Sequence, residues 1–171
     1  IIQDMIPKLG NNNNNKFNIN VFLNEQCRDA INMSEFIASL KIQLEDLNFT
    51  KNNGLIEGVS SILVNGLKQL DTFKRPIHCT DMKRETLYIK DNDEWDRENG
   101  KEILKLAINN VANKQRAAIA DWEKANPNWA ATESGKEEYI KLVRSVMKEV
   151  NDTPDENKII KSIAKETIID K

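Results

Sequence analysis

Residues 74–90 read KRPIHCTDMKRETLYIK. Pro76 bars a helix from continuing through this point, and two short β-type runs, PIHC and ETLYIK, flank the polar TDMKR. The simplest structure is a two-stranded hairpin. A hairpin alone is marginal and needs another strand or a helix to lie on. Strand alternation then sorts its side chains: Ile77, Cys79, Leu87 and Ile89 face a helix at 54–70, while Tyr88 and the Lys/Arg side chains face outward. The same run carries His78, the only histidine, and one of two cysteines.

Upstream, KFNINVFLN (16–24) puts Phe17, Ile19, Val21 and Leu23 on one face and Asn18, Asn20 and Phe22 on the other. That period of two predicts a strand over 17–23, available to the hairpin. An exposed strand leaves backbone donors and acceptors open to pairing within the domain or across subunits. Phe17, Ile19, Val21 and Leu23 are therefore candidate interaction residues.

Helical spacing dominates the rest. After a short turn of helix over 25–31, Asn32 and Glu35 have capping-box spacing, and Phe36, Ile37, Leu40, Leu44 and Leu47 form one stripe. TKNNG (50–54) reads as a turn. Leu55, Ile56, Val59, Ile62, Leu63, Leu67 and Leu70 mark the clearest amphipathic helix, in which Gly58 and Gly66 permit close packing against a neighbour. DNDEWDRENG reads as an acidic loop. A third long helix spans 101–124 and stops before Pro127. Ser134 with Glu137 caps a fourth, and TPDE (153–156) opens a fifth. The expectation is α+β, mostly α, with about five helices and a small β element made of strand 17–23 and hairpin 76–90.

The chain of 171 residues fits one domain, read as 17–171. Residues 1–16 form a separate unit. Ile2, Met5, Ile6 and Leu9 make a short helical stripe, read as a stalk remnant or the end of an upstream segment, and Asn11–Asn15 is a linker. The first residue is Ile1, which suggests a longer protein. Twenty-five basic against 27 acidic residues give no overall positive field for a polyanion. No apolar run reaches the ~18 residues of a membrane span.

No catalytic constellation emerges. His78 and Cys79 are neighbours on a strand and point to opposite faces, so Cys27 is the one remaining thiol for a dyad. Three Cys/His residues fall short of a four-ligand zinc site. Asp91 and Asp93 start like a calcium loop, but Trp95 occupies a ligand position. Phosphate-cradling glycine motifs are absent and no cofactor is implied. His78, Asp81 and Glu85 beside Trp95 are the weakest candidate, for acid/base work. One basic cluster remains: Lys74, Arg75, Lys83, Arg84 and Lys90, interleaved with Tyr88, which suits phosphate contact and base stacking. Asp71, Asp81, Glu85, Asp91 and Asp93 lie among these cations and offset them.

FNINVFLNEQCRDAINMSEFIASL, GLIEGVSSILVNGLKQLD, KRPIHCTDMKRETLYIKDNDEW, NPNW and YIKLVRSVM together resemble a family of uncharacterised proteins of giant DNA viruses. The likeness runs from about Phe17 onward and is specific in PIHC, LYIKD and the following Trp. It implies a domain placed behind Asn-rich sequence, a helical stalk and often zinc fingers, acting in the host cytoplasm or viral factory. It supplies no catalytic residues, and KEVND after VRSVM departs from the glycines of many relatives. The function expected is a non-enzymatic oligomerisation or interaction module of a viral protein, forming a homo-oligomer or holding a protein partner. The alternative is a nucleic-acid-contacting domain using hairpin 74–90, or nucleic acid held by an upstream region.

Overall fold

A computed structural model describes residues 17–150 and 154–170. The stripe at 2–9, the Asn run and Thr153 of the TPDE start lie outside the described residues. Along the chain come α1 (Ile19–Val21), which runs into a π-helical turn (Phe22–Gln26), α2 (Met33–Ser39), α3 (Leu44–Asn53) and α4 (Leu55–Lys68). A sheet of β1 (Ile77–Asp81), β2 (Thr86–Asp91) and β3 (Glu94–Asp96) follows. The rest is α5 (Gly100–Ala117), α6 (Ile119–Ala125), α7 (Glu133–Val146) and α8 (Pro154–Thr167). The fold is α+β and mostly α.

The hairpin forms as its alternation requires. Ile77 pairs with Ile89 and Cys79 with Leu87, antiparallel. All four are buried and share a core with Val59, Leu63 and Leu67 of α4, Leu104 and Ile108 of α5, and Ile159 and Ile163 of α8. Burying each large aliphatic side chain contributes about 1.5–3 kcal/mol, so this shared layer fixes the sheet on the helices. Gly58 seats α4 closely on α3, because a Cβ there would overlap Thr50.

Five local expectations are corrected. Residues 17–23 are helical, not a strand, because the Asn18 side chain accepts hydrogen bonds from the backbone N–H groups of Asn20 (3.0 Å) and Val21 (3.2 Å) and so caps a helical turn. Consecutive Phe22 and Leu23 are then both buried, which a strand with one buried face does not allow. The stripe of 36–47 breaks at Leu40, where ψ is 127°, and Gln43 with Asp46 forms a capping box that restarts the chain as α3. α3 continues through Asn53, so most of TKNNG is helix and only Gly54, at φ 94°, turns the chain. The acidic loop contains β3, because Asn92 (φ 50°) and Asp93 (φ 63°) make a tight turn that returns the chain antiparallel to β2. The helix expected over 101–124 divides at Ala118 into α5 and α6.

Candidate interaction groove around His78

Alternation turns His78 to the face of β1 opposite Ile77 and Cys79, but that face is covered as well. The π-helical turn lies over it, leaving His78 1% exposed. Its Nε2 lies 3.6 Å from Cys27 Sγ. Phe22 meets the imidazole edge-on at 5.0 Å and Trp95 lies 5.8 Å away. Burial, aided by the charge of Arg75, pushes the His78 pKa down to about 4 against a hydrogen bond to the backbone of Thr72. Burial pushes Cys27 up to about 11, with Lys90 pulling the other way.

These directions decide the chemistry. A cysteine nucleophile needs a thiolate beside an imidazolium, which requires a lowered thiol and a supported imidazolium. Here both groups are held neutral, with sulfur and ring nitrogen in hydrogen-bond contact. Cys79 stays on the other face in the aliphatic core.

The acid/base trio is not brought together. The Asp81 carboxylate accepts from the Arg84 backbone N–H at 3.1 Å, and Glu85 pairs with Lys101 at 3.0 Å. Asp91 accepts from the Ser34 hydroxyl at 3.0 Å and Asp93 from the Asn32 amide at 3.0 Å, so the loop that resembled a calcium start clips the sheet to the N-terminus of α2. Among the described residues, no three His, Cys, Asp or Glu side chains are grouped to hold a metal, and no helix is long and apolar enough to cross a membrane.

The basic cluster is divided between surface and interior. Lys74, Lys83 and Arg84 are exposed, with Arg84 Nε 3.9 Å from Asp81. Arg75 and Lys90, expected outward, are internal struts. Arg75 donates to the Leu67 carbonyl (3.0 Å) and the Glu166 carbonyl (3.2 Å) and pairs with the Glu166 carboxylate. Lys90 is 8% exposed and donates to the carbonyls of Ala30 (2.7 Å) and Arg28 (3.2 Å). The reason is the covering of that sheet face: the segment after the π-helical turn presents buried carbonyls that need donors. Tyr88 is half-buried against the cluster of Phe22, Leu23 and Cys27.

The candidate interaction residues separate likewise. Leu23 is buried, Ile19 half-buried, and Phe17 and Val21 exposed. Phe17 joins a row of rings, 5.6 Å from Phe22, which lies 6.1 Å from Phe73. Along this row runs a groove of about 500 Å³, bounded also by Thr167–Asp170 and touching His78. Phe17, Phe73 and Ile168 stand exposed around it. The Ile169 N–H donates to the Cys79 carbonyl at 2.9 Å, which ties the end of α8 to the free edge of β1. Sequence reasoning missed Phe73 and Ile168. Phe73 carried no pattern of its own, and Ile168 was read as the last member of the final helix's buried stripe, whereas α8 ends at Thr167 and leaves Ile168 exposed. Comparison of the chain with family models, curated proteins and solved structures gave no match.

Proposed function

We propose that the chain is a non-enzymatic interaction module of a viral protein that self-associates through the groove of Phe17, Phe22, Phe73 and Ile168. The observation that supports this reading is the gathering of three exposed large apolar side chains around one groove. Contiguous exposed apolar surface marks association sites, whereas single exposed residues are ordinary. Residue 17 stands at the rim, so an upstream segment that joined two copies would hold their grooves at high effective concentration. The neutral state of Cys27 and His78 weighs against thiol chemistry, and the resemblance supports the viral context. The nucleic-acid alternative retains Lys74, Lys83 and Arg84 after Arg75 and Lys90 are engaged inside, and it stands second.

Light scattering across a concentration series tests the proposal. The chain should show a mass above the monomer that rises with concentration, and Phe17→Glu with Phe73→Glu should return it to the monomer with an unchanged circular dichroism spectrum. A strict monomer at the highest attainable concentration, or association unaffected by the double substitution, overturns it.

A further inference from the structure

A second cleft, sharing no lining residue with the groove, lies open between α3, α7 and the loop that joins α6 to α7, with a volume of about 770 Å³. α3 supplies Asn48, Lys51 and Asn52, spaced i, i+3 and i+4, so one helical face carries two amides and an ammonium. α7 supplies Glu138, whose Oε2 lies 2.6 Å from Lys51 Nζ. That contact, as a hydrogen bond and as a charge, holds the Glu138 carboxyl below its usual range. The loop supplies Asn128 and Trp129.

Trp129 is fixed in place. Its indole stacks on Tyr139 with centroids 3.9 Å apart and planes at 13°. The Tyr139 hydroxyl donates to Glu123 at 3.1 Å, and this bond raises the phenol pKa. A Cβ at Gly135 would overlap the Trp129 carbonyl, so glycine in the first turn of α7 lets the loop backbone approach. Tyr139 does not line the cleft, which therefore meets the indole where Tyr139 leaves it uncovered.

We propose that this cleft binds a neutral saccharide. Lys51 and Glu138 are its only ionisable lining groups and neutralise each other, so nothing selects a phosphate or a carboxylate. Each asparagine amide offers a donor beside an acceptor, the same pair that a sugar hydroxyl offers in return. The side chains of Asn48 and Asn128 have no hydrogen bond among the described residues, which leaves them for a ligand. A hydroxyl beside the Lys51–Glu138 pair can accept from a remaining ammonium N–H or donate to the carboxylate, and charge-assisted bonds of this kind are the stronger ones. Trp129 gives a flat apolar surface for the C–H face of a pyranose ring. A peptide ligand fits less well: Trp122 is 4% exposed, and the remaining apolar lining of Leu44 and Pro127 makes no enclosed pocket for an anchoring side chain.

The test is saturation-transfer NMR on the whole chain with three trisaccharides at millimolar concentration: β-1,4-linked glucose, α-1,4-linked glucose and β-1,4-linked N-acetylglucosamine. At least one should receive transfer at its ring protons. Asn48→Ala with Asn128→Ala, both at exposed positions that keep the fold, should weaken binding about tenfold, as expected for two lost hydrogen bonds. Trp129→Ala should abolish the signal, with retained folding checked by circular dichroism. No transfer to any of the three, unchanged binding in the asparagine double variant, or stronger transfer to a mononucleotide or a charged peptide overturns the proposal.

Discussion

His78 Nε2 and Cys27 Sγ meet at 3.6 Å inside the protein, joining residues 51 positions apart in the chain. The contact fastens the segment after the π-helical turn to β1, and it takes two of the chain's most reactive groups out of solvent. A neutral imidazole and a neutral thiol satisfy each other there at small desolvation cost, whereas the charged pair would be expensive to bury without further hydrogen bonds.

The first consequence is acid sensitivity. An unfolded histidine titrates at 6.5 and His78 in the folded chain at about 4. Between these values the unfolded state binds a proton that the folded state excludes, so stability falls as pH falls through that window. The slope approaches about 1.4 kcal/mol per pH unit. Urea midpoints measured from about pH 7 to about pH 5 should drop in the wild type, with a smaller drop in His78→Phe. Parallel curves for the two proteins would show that His78 is not held neutral by burial.

The thiols give a second measurement. Cys27 and Cys79 are both fully buried, and Cys27 is raised to about 11. Reaction with a thiol reagent at mildly alkaline pH proceeds through the thiolate and needs access, so both should react only as fast as the domain opens. Full labelling is expected in denaturant and very slow labelling in native buffer. Rapid native labelling of Cys27 would contradict a protonated, enclosed thiol and would reopen the case for a nucleophile.

Lys90 separates structural from surface cations. Its ammonium serves two carbonyls of the segment that covers the sheet, and hydrogen bonds to a charged group contribute about 1.5–3 kcal/mol. Lys90→Ala should therefore lower stability by about 2–3 kcal/mol, while Lys83→Ala, at an exposed turn, should stay within about 0.5 kcal/mol. Denaturant unfolding of the two variants distinguishes these roles. Equal and small effects would mean that Lys90 is a surface cation after all, and the basic hairpin would regain weight as a nucleic-acid contact.

The hairpin was legible because three cues agreed: Pro76 excluded helix, β-type residues flanked a polar turn, and apolar residues alternated toward a helix with its own stripe. The segment at 17–23 misled because its alternation is real but has no structural consequence. A single Asn18 cap commits the backbone to a helical turn, and adjacent Phe22 and Leu23 are then buried together. β3 was hidden because three residues with one apolar side chain, Trp95, show no alternation, and the strand is set by the Asn92–Asp93 turn and the backbone bonds of β2. Arg75 and Lys90 show why surface charge is hard to read from sequence: whether a cation meets solvent or a buried carbonyl depends on what packs over it. The groove depended on tertiary placement in the same way, since Phe17, Phe73 and Ile168 come from three separate segments. The cleft was not legible, because TKNNG, read as a turn, broke up the helical face of Asn48, Lys51 and Asn52, and nothing local linked it to Trp129.

Gly58 offers a test in which helix propensity and packing predict opposite signs. Within an exposed helix, replacing Gly by Ala stabilises by about 0.8–1.0 kcal/mol. At position 58 a Cβ would overlap the Thr50 hydroxyl of α3 and come within 2.9 Å of the Thr50 Cβ, so rotating the threonine side chain does not clear the space. Thr50 is 0% exposed and donates to Gln115 Oε1 at 2.6 Å, while Gln115 Nε2 already lacks a partner among the described residues. Relief must come from moving α3, which disturbs that bond and the contact of α3 with α4. Gly58→Ala should lower stability by about 2 kcal/mol or more, as overpacking of a close contact does. Adding Thr50→Ala removes the hydroxyl and methyl and leaves only the contact with the Cβ at position 50, so the clash is partly relieved and the double variant should be more stable than the sum of the two single effects, a coupling that urea unfolding of all four proteins measures. An additive cycle, or a Gly58→Ala protein more stable than the wild type, would mean that α3 and α4 are not held this close in solution.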